Sequence, residues 1–178
     1  MKANRIAAAG MLAALALILG WIDNILPLSS TLPGLKLGLA NLAVIFALYH
    51  LDPWHAAAVS ATKVLLSTLL FGSISGLIYS ASGAVFSFVV MLLMMHLPRL
   101  SVVGVSAAGG AVHIIAQFCA AAMITSTPAV LRLMPPLLAL GTLTGALLGI
   151  AALLTMNRMP AMLPGLSYSK GERKNESN

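Results

Sequence analysis

Acidic side chains are scarce in this chain: four among 178 residues, against ten lysines and arginines. Asp23, Asp52, Glu172 and Glu176 are the whole set. Charged residues make up 8% of the sequence, where a soluble domain carries about 25%. The shortage leaves no acidic pair to hold magnesium, a hard cation that needs oxygen ligands. The one cysteine, Cys119, excludes an internal disulfide and any CxxC site, and its apolar surroundings predict a small buried filler. There is no GxxxxGK[ST] phosphate loop and no HExxH pair, so the chain does not use ATP or zinc in those ways. His50, His55 and His96 fall at one border of the apolar segments and His113 within one, a poor arrangement for bis-histidine haem. The methionines of "MLLMMH" read as apolar filler rather than a Cu(I) site. Basic residues sit at segment ends or in "KGERKNESN", without a basic patch interleaved with aromatics, so nucleic acid is not an expected partner.

What the chain has is hydrophobic length. Apolar residues make up 60%, with a mean hydropathy of +0.99. This predicts an all-α integral membrane protein with one transmembrane domain over residues 1–158 and a polar, disordered tail over 159–178. Six stretches approach the roughly 20 residues needed to cross a bilayer. They run from Ile6 to Leu26, Gly34 to Tyr49, Trp54 to Phe71, Gly76 to Met95, Ser101 to Ile124 and Leu133 to Met156. Turn-forming segments such as "PLSSTLPG", "HLDPWH" and "HLPRL" divide them. Lys2 and Arg5 resemble the start of a signal peptide, but no A-x-A site precedes "WIDNILP", so the first span is expected to be retained. With a cytoplasmic N-terminus, Lys2, Arg5, Arg99, Arg158, Lys170, Arg173 and Lys174 all fall inside, leaving Arg132 outside and Lys36 at an outer helix end. The positive-inside bias therefore predicts a six-helix bundle with both termini cytoplasmic.

Several faces of these spans are poorly suited to lipid. Gly141, Gly145 and Gly149 form a GxxxGxxxG ridge, which predicts close intramolecular helix packing. Lys63 falls near the centre of the third span, where a charge costs about 2.5–3.5 kcal/mol on insertion scales and marks a functional candidate. Two readings stand: an ion pair with Asp23, or a cavity-facing ammonium that meets an anionic ligand. Ser60 and Ser67 share its face. Gly109, His113 and Gln117 share one face of the fifth span, and Ser75, Tyr79 and Ser82 form a stripe on the fourth. In "PGLKLGLANL", Lys36 and Asn41 lie about 140° apart on a regular helix, so they can face one ligand only if the helix begins irregularly. Pro33 and Gly34 allow that, and a broken helix start lining a cavity is an accepted transporter design. Together these residues describe a cationic pocket open to the outside.

The blocks "LPGLKLGLANLAVIFALY", "LLSTLLFGSISGLIYSASGAVFSFVVM" and "GGAVHIIAQ" resemble the Gx transporter family, also known as heptaprenyl diphosphate synthase component I. The resemblance covers nearly all of residues 6–156, with "PGLKLGLAN" and "FGSISGLIYS" its most specific parts. That family in turn resembles the S components of energy-coupling factor (ECF) transporters. These are six-helix subunits of the bacterial plasma membrane that capture micronutrients from outside, and they work with a transmembrane coupling subunit and cytoplasmic ATPases. The resemblance implies a substrate-binding subunit for a small micronutrient or metabolite, which the cationic pocket predicts to be anionic; no cofactor, metal or catalytic residue is expected. Lys36, Asn41, Lys63, Tyr79, His113 and Gln117 are the expected substrate-binding residues, and "PLSSTLPG" the lid. Ala9 and Ala13 match the AxxxA motif by which S components meet the coupling subunit. Prenyl diphosphate synthases bind magnesium-diphosphate through motifs such as DDxxD, and none occurs here. The second reading is a non-catalytic accessory subunit in heptaprenyl diphosphate or isoprenoid-quinone synthesis, or in a flavin-linked redox complex.

Overall fold

The computed structural model describes residues 2–25, 36, 38–71 and 74–158. Among them are six α-helices: α1 (Lys2–Ile25), α2 (Asn41–His50), α3 (Pro53–Phe71), α4 (Ile74–Met94), α5 (Val102–Thr125) and α6 (Met134–Arg158). A 3₁₀ turn, Pro128–Leu133, leads into α6. Four of these helical segments, α1, α4, α5 and the turn with α6, are long and apolar enough to cross a membrane. The expected six spans are thus matched by four on length and composition. α2 is too short, and α3 carries His55, Ser60, Thr62, Lys63, Ser67 and Thr68 within its 19 residues. The tail and the whole of the expected lid, residues 27–34, lie outside the described residues.

The short α2 is the centre of the molecule. It touches α1, α3, α4 and α6, and Asn41, Ala43, Val44, Ile45, Ala47 and Leu48 are all buried. A helix that is apolar all round is one surrounded by protein. Its ten residues rise about 15 Å, half of the roughly 30 Å hydrocarbon layer. Ala16 of α1, Val59 of α3, Met91 of α4, Val102 and Val105 of α5 and Ala152 of α6 complete the core around it.

The second apolar stretch begins at Gly34 with an irregular helix start left open, and α2 starts at Asn41. Gly38 has φ +85°, a left-handed conformation that only glycine adopts without strain. The chain then turns, with Asn41 N–H donating to Gly38 O at 2.8 Å and Leu42 N–H to Leu39 O at 3.1 Å. At the other end of the bundle, Asp52 closes the turn between α2 and α3. Its carboxylate accepts the His55 backbone N–H at 3.0 Å and meets Arg5 Nη1 at 3.4 Å. With Pro53 at the first helical position, this is a complete N-cap. The His55 amide, first among several favourable partners, holds the Asp52 carboxyl below its ordinary value.

α5 and α6 pack backbone to backbone along the glycine ridge. A Cβ added to Gly145 would lie 2.6 Å from the Ser106 carbonyl oxygen, and one on Gly149 would lie 2.8 Å from Val103 Cα. A Cβ on Gly110 would collide with the Gly141 carbonyl oxygen. Cys119, expected to be buried, lies exposed on α5, facing away from the helix's buried residues; a small apolar thiol is tolerated on such a surface.

Two predictions follow from these contacts. Gly145→Ala should destabilise the protein by about 1–3 kcal/mol through overpacking. Gly10→Ala, with no described atom outside its own stretch of helix within 4 Å of the new Cβ, should be neutral or stabilising by up to about 1 kcal/mol; thermal unfolding in detergent compares them directly. Asp52→Ala should cost about 1 kcal/mol at neutral pH. Because the folded-state pKa is depressed, the Asp52 contribution is present above the ordinary value of 3.8 and lost as pH falls below it. Unfolding of wild type and Asp52→Ala should therefore converge in acid.

Candidate functional site

The irregular segment before α2 lies against α1, α3 and α5, and its polar groups must be satisfied inside the protein. Asp23, near the end of α1, supplies the main anchor. Its Oδ2 accepts the backbone N–H of Gly38 at 2.8 Å and of Leu39 at 3.0 Å. Gln117 of α5 supplies a second, with Oε1 accepting the Lys36 backbone N–H at 3.1 Å. The chain is thus held in a non-helical path by two buried side chains from different helices, 3% and 0% exposed.

Two ammonium groups converge here. Lys36 Nζ donates to Ser67 Oγ of α3 at 2.9 Å. Lys63 Nζ donates to Asn41 Oδ1, in the first turn of α2, at 2.7 Å. Lys36, Lys63, Asp23, Gly38, Ser67, Ser80 and His113 line one cavity of about 20 Å³, room for about one water molecule. The positive end of the α2 dipole adds to the cationic character of this space.

His113 closes the cavity from α5. Gln117 Oε1 is already an acceptor, so its Nε2 amide donates to His113 Nε2 at 2.8 Å. That bond requires a lone pair on His113 Nε2 and so a neutral ring protonated at Nδ1. The ring fits because two glycines flank it. A Cβ on Gly83 of α4 would lie 2.8 Å from the His113 ring, and one on Gly38 would lie 3.3 Å from its Cδ2.

The structure brings together Lys36, Asn41, Lys63, His113 and Gln117 of the expected binding residues. Tyr79 is buried on α4 but does not line this cavity; its neighbour Ser80 does. Lys63 and Asp23 share the cavity, while the hydrogen bond of the Lys63 ammonium goes to Asn41 and Asp23 Oδ2 anchors backbone amides. Ser67 meets Lys36, whereas Ser60 faces a separate groove between α3 and α4. Ser80 and Gly83 were not singled out by the sequence, because serine and glycine are too common in membrane helices to stand out. On α1, Ala9 packs partly against the core of the same chain and Ala13 is half-buried; Gly10 between them is open. Among the described residues, no three His, Cys, Asp or Glu side chains are grouped to hold a metal.

An all-helical, strongly apolar chain with a polar, two-lysine cavity at a broken helix defines a class of membrane-like proteins with a built internal site. A sequence profile of the family described as heptaprenyl diphosphate synthase component I matches residues 12–155, and the chain belongs to that family. No curated protein and no solved structure matches it.

The anchoring geometry predicts the effect of losing Asp23. Asp23→Ala removes the acceptor of two backbone amides and the carboxylate beside two ammonium groups. It should destabilise the protein by about 3–5 kcal/mol, the cost of breaking a buried charge pair. Asp23→Asn keeps one acceptor oxygen and should lose less. Thermal unfolding of the purified variants measures both.

Proposed function

We propose that this chain is the substrate-binding membrane subunit of an ECF-like importer, capturing a small anionic metabolite from outside a bacterial plasma membrane. The observation that carries the reading is the convergence of Lys36 and Lys63 on one internal cavity that holds a single carboxylate. A buried cation is costly unless paired, and two of them around a broken helix start are the arrangement of an anion site. In this reading the bundle crosses the membrane six times, α2 and α3 included, with both termini cytoplasmic. The contact between Arg5 and Asp52 supports it, since it puts the start of α1 and the α2–α3 turn at the same end. The cavity then lies toward the outer side. Lys63 and Lys36 pair with the anion, Asn41 and Gln117 orient the lysines and the backbone, and neutral His113 walls the cavity from α5. Tyr79 supports α4 from outside the cavity. The α1 surface around Ala9, Gly10 and Ala13 meets a transmembrane coupling subunit driven by cytoplasmic ATPases. The chain itself catalyses nothing in this scheme.

A second reading is favoured by the family's own description: a non-catalytic accessory subunit in heptaprenyl diphosphate synthesis. The sequence offers no DDxxD motif for the catalytic role itself.

Affinity purification of the full chain from gently solubilised membranes separates the two. Transport expects a coupling subunit and ATPases, and the accessory role expects a soluble prenyltransferase. Lys63→Met should abolish substrate uptake while leaving a monodisperse, folded protein. Loss of folding in both Lys63→Met and Asp23→Asn would make the cluster a structural ion pair and overturn the binding reading.

A further inference from the structure

The charges around the cavity can be counted. Lys36 and Lys63 contribute two positive charges and Asp23 one negative. His113 is neutral, because its Nε2 accepts the Gln117 amide. The other described carboxylate, Asp52, is at the far end of the bundle with Arg5 and His55. The cluster therefore carries one uncompensated positive charge. Ser80, 6% exposed, lines the cavity, and its Oγ has no hydrogen-bond partner among the described residues. Both features are satisfied by one group with a single negative charge and oxygen acceptors.

The cavity is also too small for a whole metabolite. At about 20 Å³, room for about one water molecule, it takes no more than the charged end of a ligand. The neighbouring space is an apolar groove of about 450 Å³ between α3 and α4, lined by Ala57, Ala61, Leu77, Ala84 and Phe88 among others. Val64 borders both the polar cavity and this groove. A groove of that volume is within the range of ligand pockets.

We infer that the ligand is a monoanionic amphiphile: its single negative charge sits between Lys36, Lys63 and Ser80, and its hydrocarbon tail passes Val64 into the α3–α4 groove. This rests on the anion-site reading above and narrows it. A carboxylate on an aliphatic or isoprenoid tail fits. A diphosphate does not, because its several charges exceed the one that the cluster leaves uncompensated. Val64 becomes the residue that sets tail selectivity.

The test is native mass spectrometry of the full-length protein in detergent, titrated with butyrate, dodecanoate and farnesyl diphosphate. Dodecanoate should bind one to one, at least about tenfold more tightly than butyrate and than farnesyl diphosphate. Val64→Trp should erase the preference for dodecanoate over butyrate, while Lys63→Met should remove binding of both. Lys63→Arg, which keeps the charge, should retain binding and guards against a Lys63→Met variant that fails to fold. Equal affinity for butyrate and dodecanoate, with no effect of Val64→Trp, would overturn the tail and leave the anion site standing. Tighter binding of farnesyl diphosphate would overturn the charge count. Dodecanoate binding unchanged in a folded Lys63→Met would show mere detergent-like adhesion, and binding of no probe at all would overturn the anion site together with this inference.

Discussion

The carboxylate of Asp23 accepting the backbone amides of Gly38 and Leu39 is the contact on which the site depends. Without it, two N–H groups would be left unsatisfied in an apolar interior, at about 1–3 kcal/mol each. With it, the chain can leave helical geometry beside α1 and enter α2 only at Asn41. That late start carries Lys36 to Ser67 and turns Asn41 toward Lys63. The same carboxylate is the one negative charge among the ammonium groups of the cavity. One side chain thus fixes backbone path and local electrostatics together, and neither can be altered without the other.

The rest of the fold makes that contact reproducible. α5 and α6 meet through glycines so closely that even a methyl group is excluded. α5 is therefore a rigid wall, and His113 and Gln117 project from it at fixed positions. α4 contributes another glycine, Gly83, against which the His113 ring lies. Close packing of this kind takes the place of hydrophobic driving force where the surroundings are as apolar as the protein.

Much of this was legible in the sequence for one reason: in a chain this apolar, a polar residue inside a span is conspicuous. Lys63, His113, Gln117 and Asn41 announce themselves against their neighbours, and they do meet. The spacing of Gly141, Gly145 and Gly149 likewise foretells a packed ridge. What could not be read is conformation that hydropathy does not encode. The apolar stretch before α2 is interrupted by Lys36, and its proline and glycine allowed an irregular start without fixing one; the left-handed φ of Gly38 puts the helix start at Asn41. Asp23 was visible as a partner for Lys63, but nothing in the sequence distinguishes a carboxylate that meets an ammonium from one that receives backbone amides. Tyr79 and Ser80 are adjacent, and a small rotation of α4 decides which of them lines the cavity. Cys119 was misplaced because α5 is apolar on both its buried and exposed faces.

The shortness of α2 has an electrical meaning. In the proposed orientation, a cavity at the head of a helix that rises about 15 Å sits about halfway through a hydrocarbon layer of roughly 30 Å. A charge that enters it has crossed about half of any membrane potential, worth about 1 kcal/mol per 100 mV for one elementary charge. In the proposed orientation, with the cell interior negative, that work opposes an incoming anion. Occupancy is then tied to the energised state of the membrane as well as to concentration, and the uncompensated positive charge of Lys36 and Lys63 offsets the field at the depth where it acts.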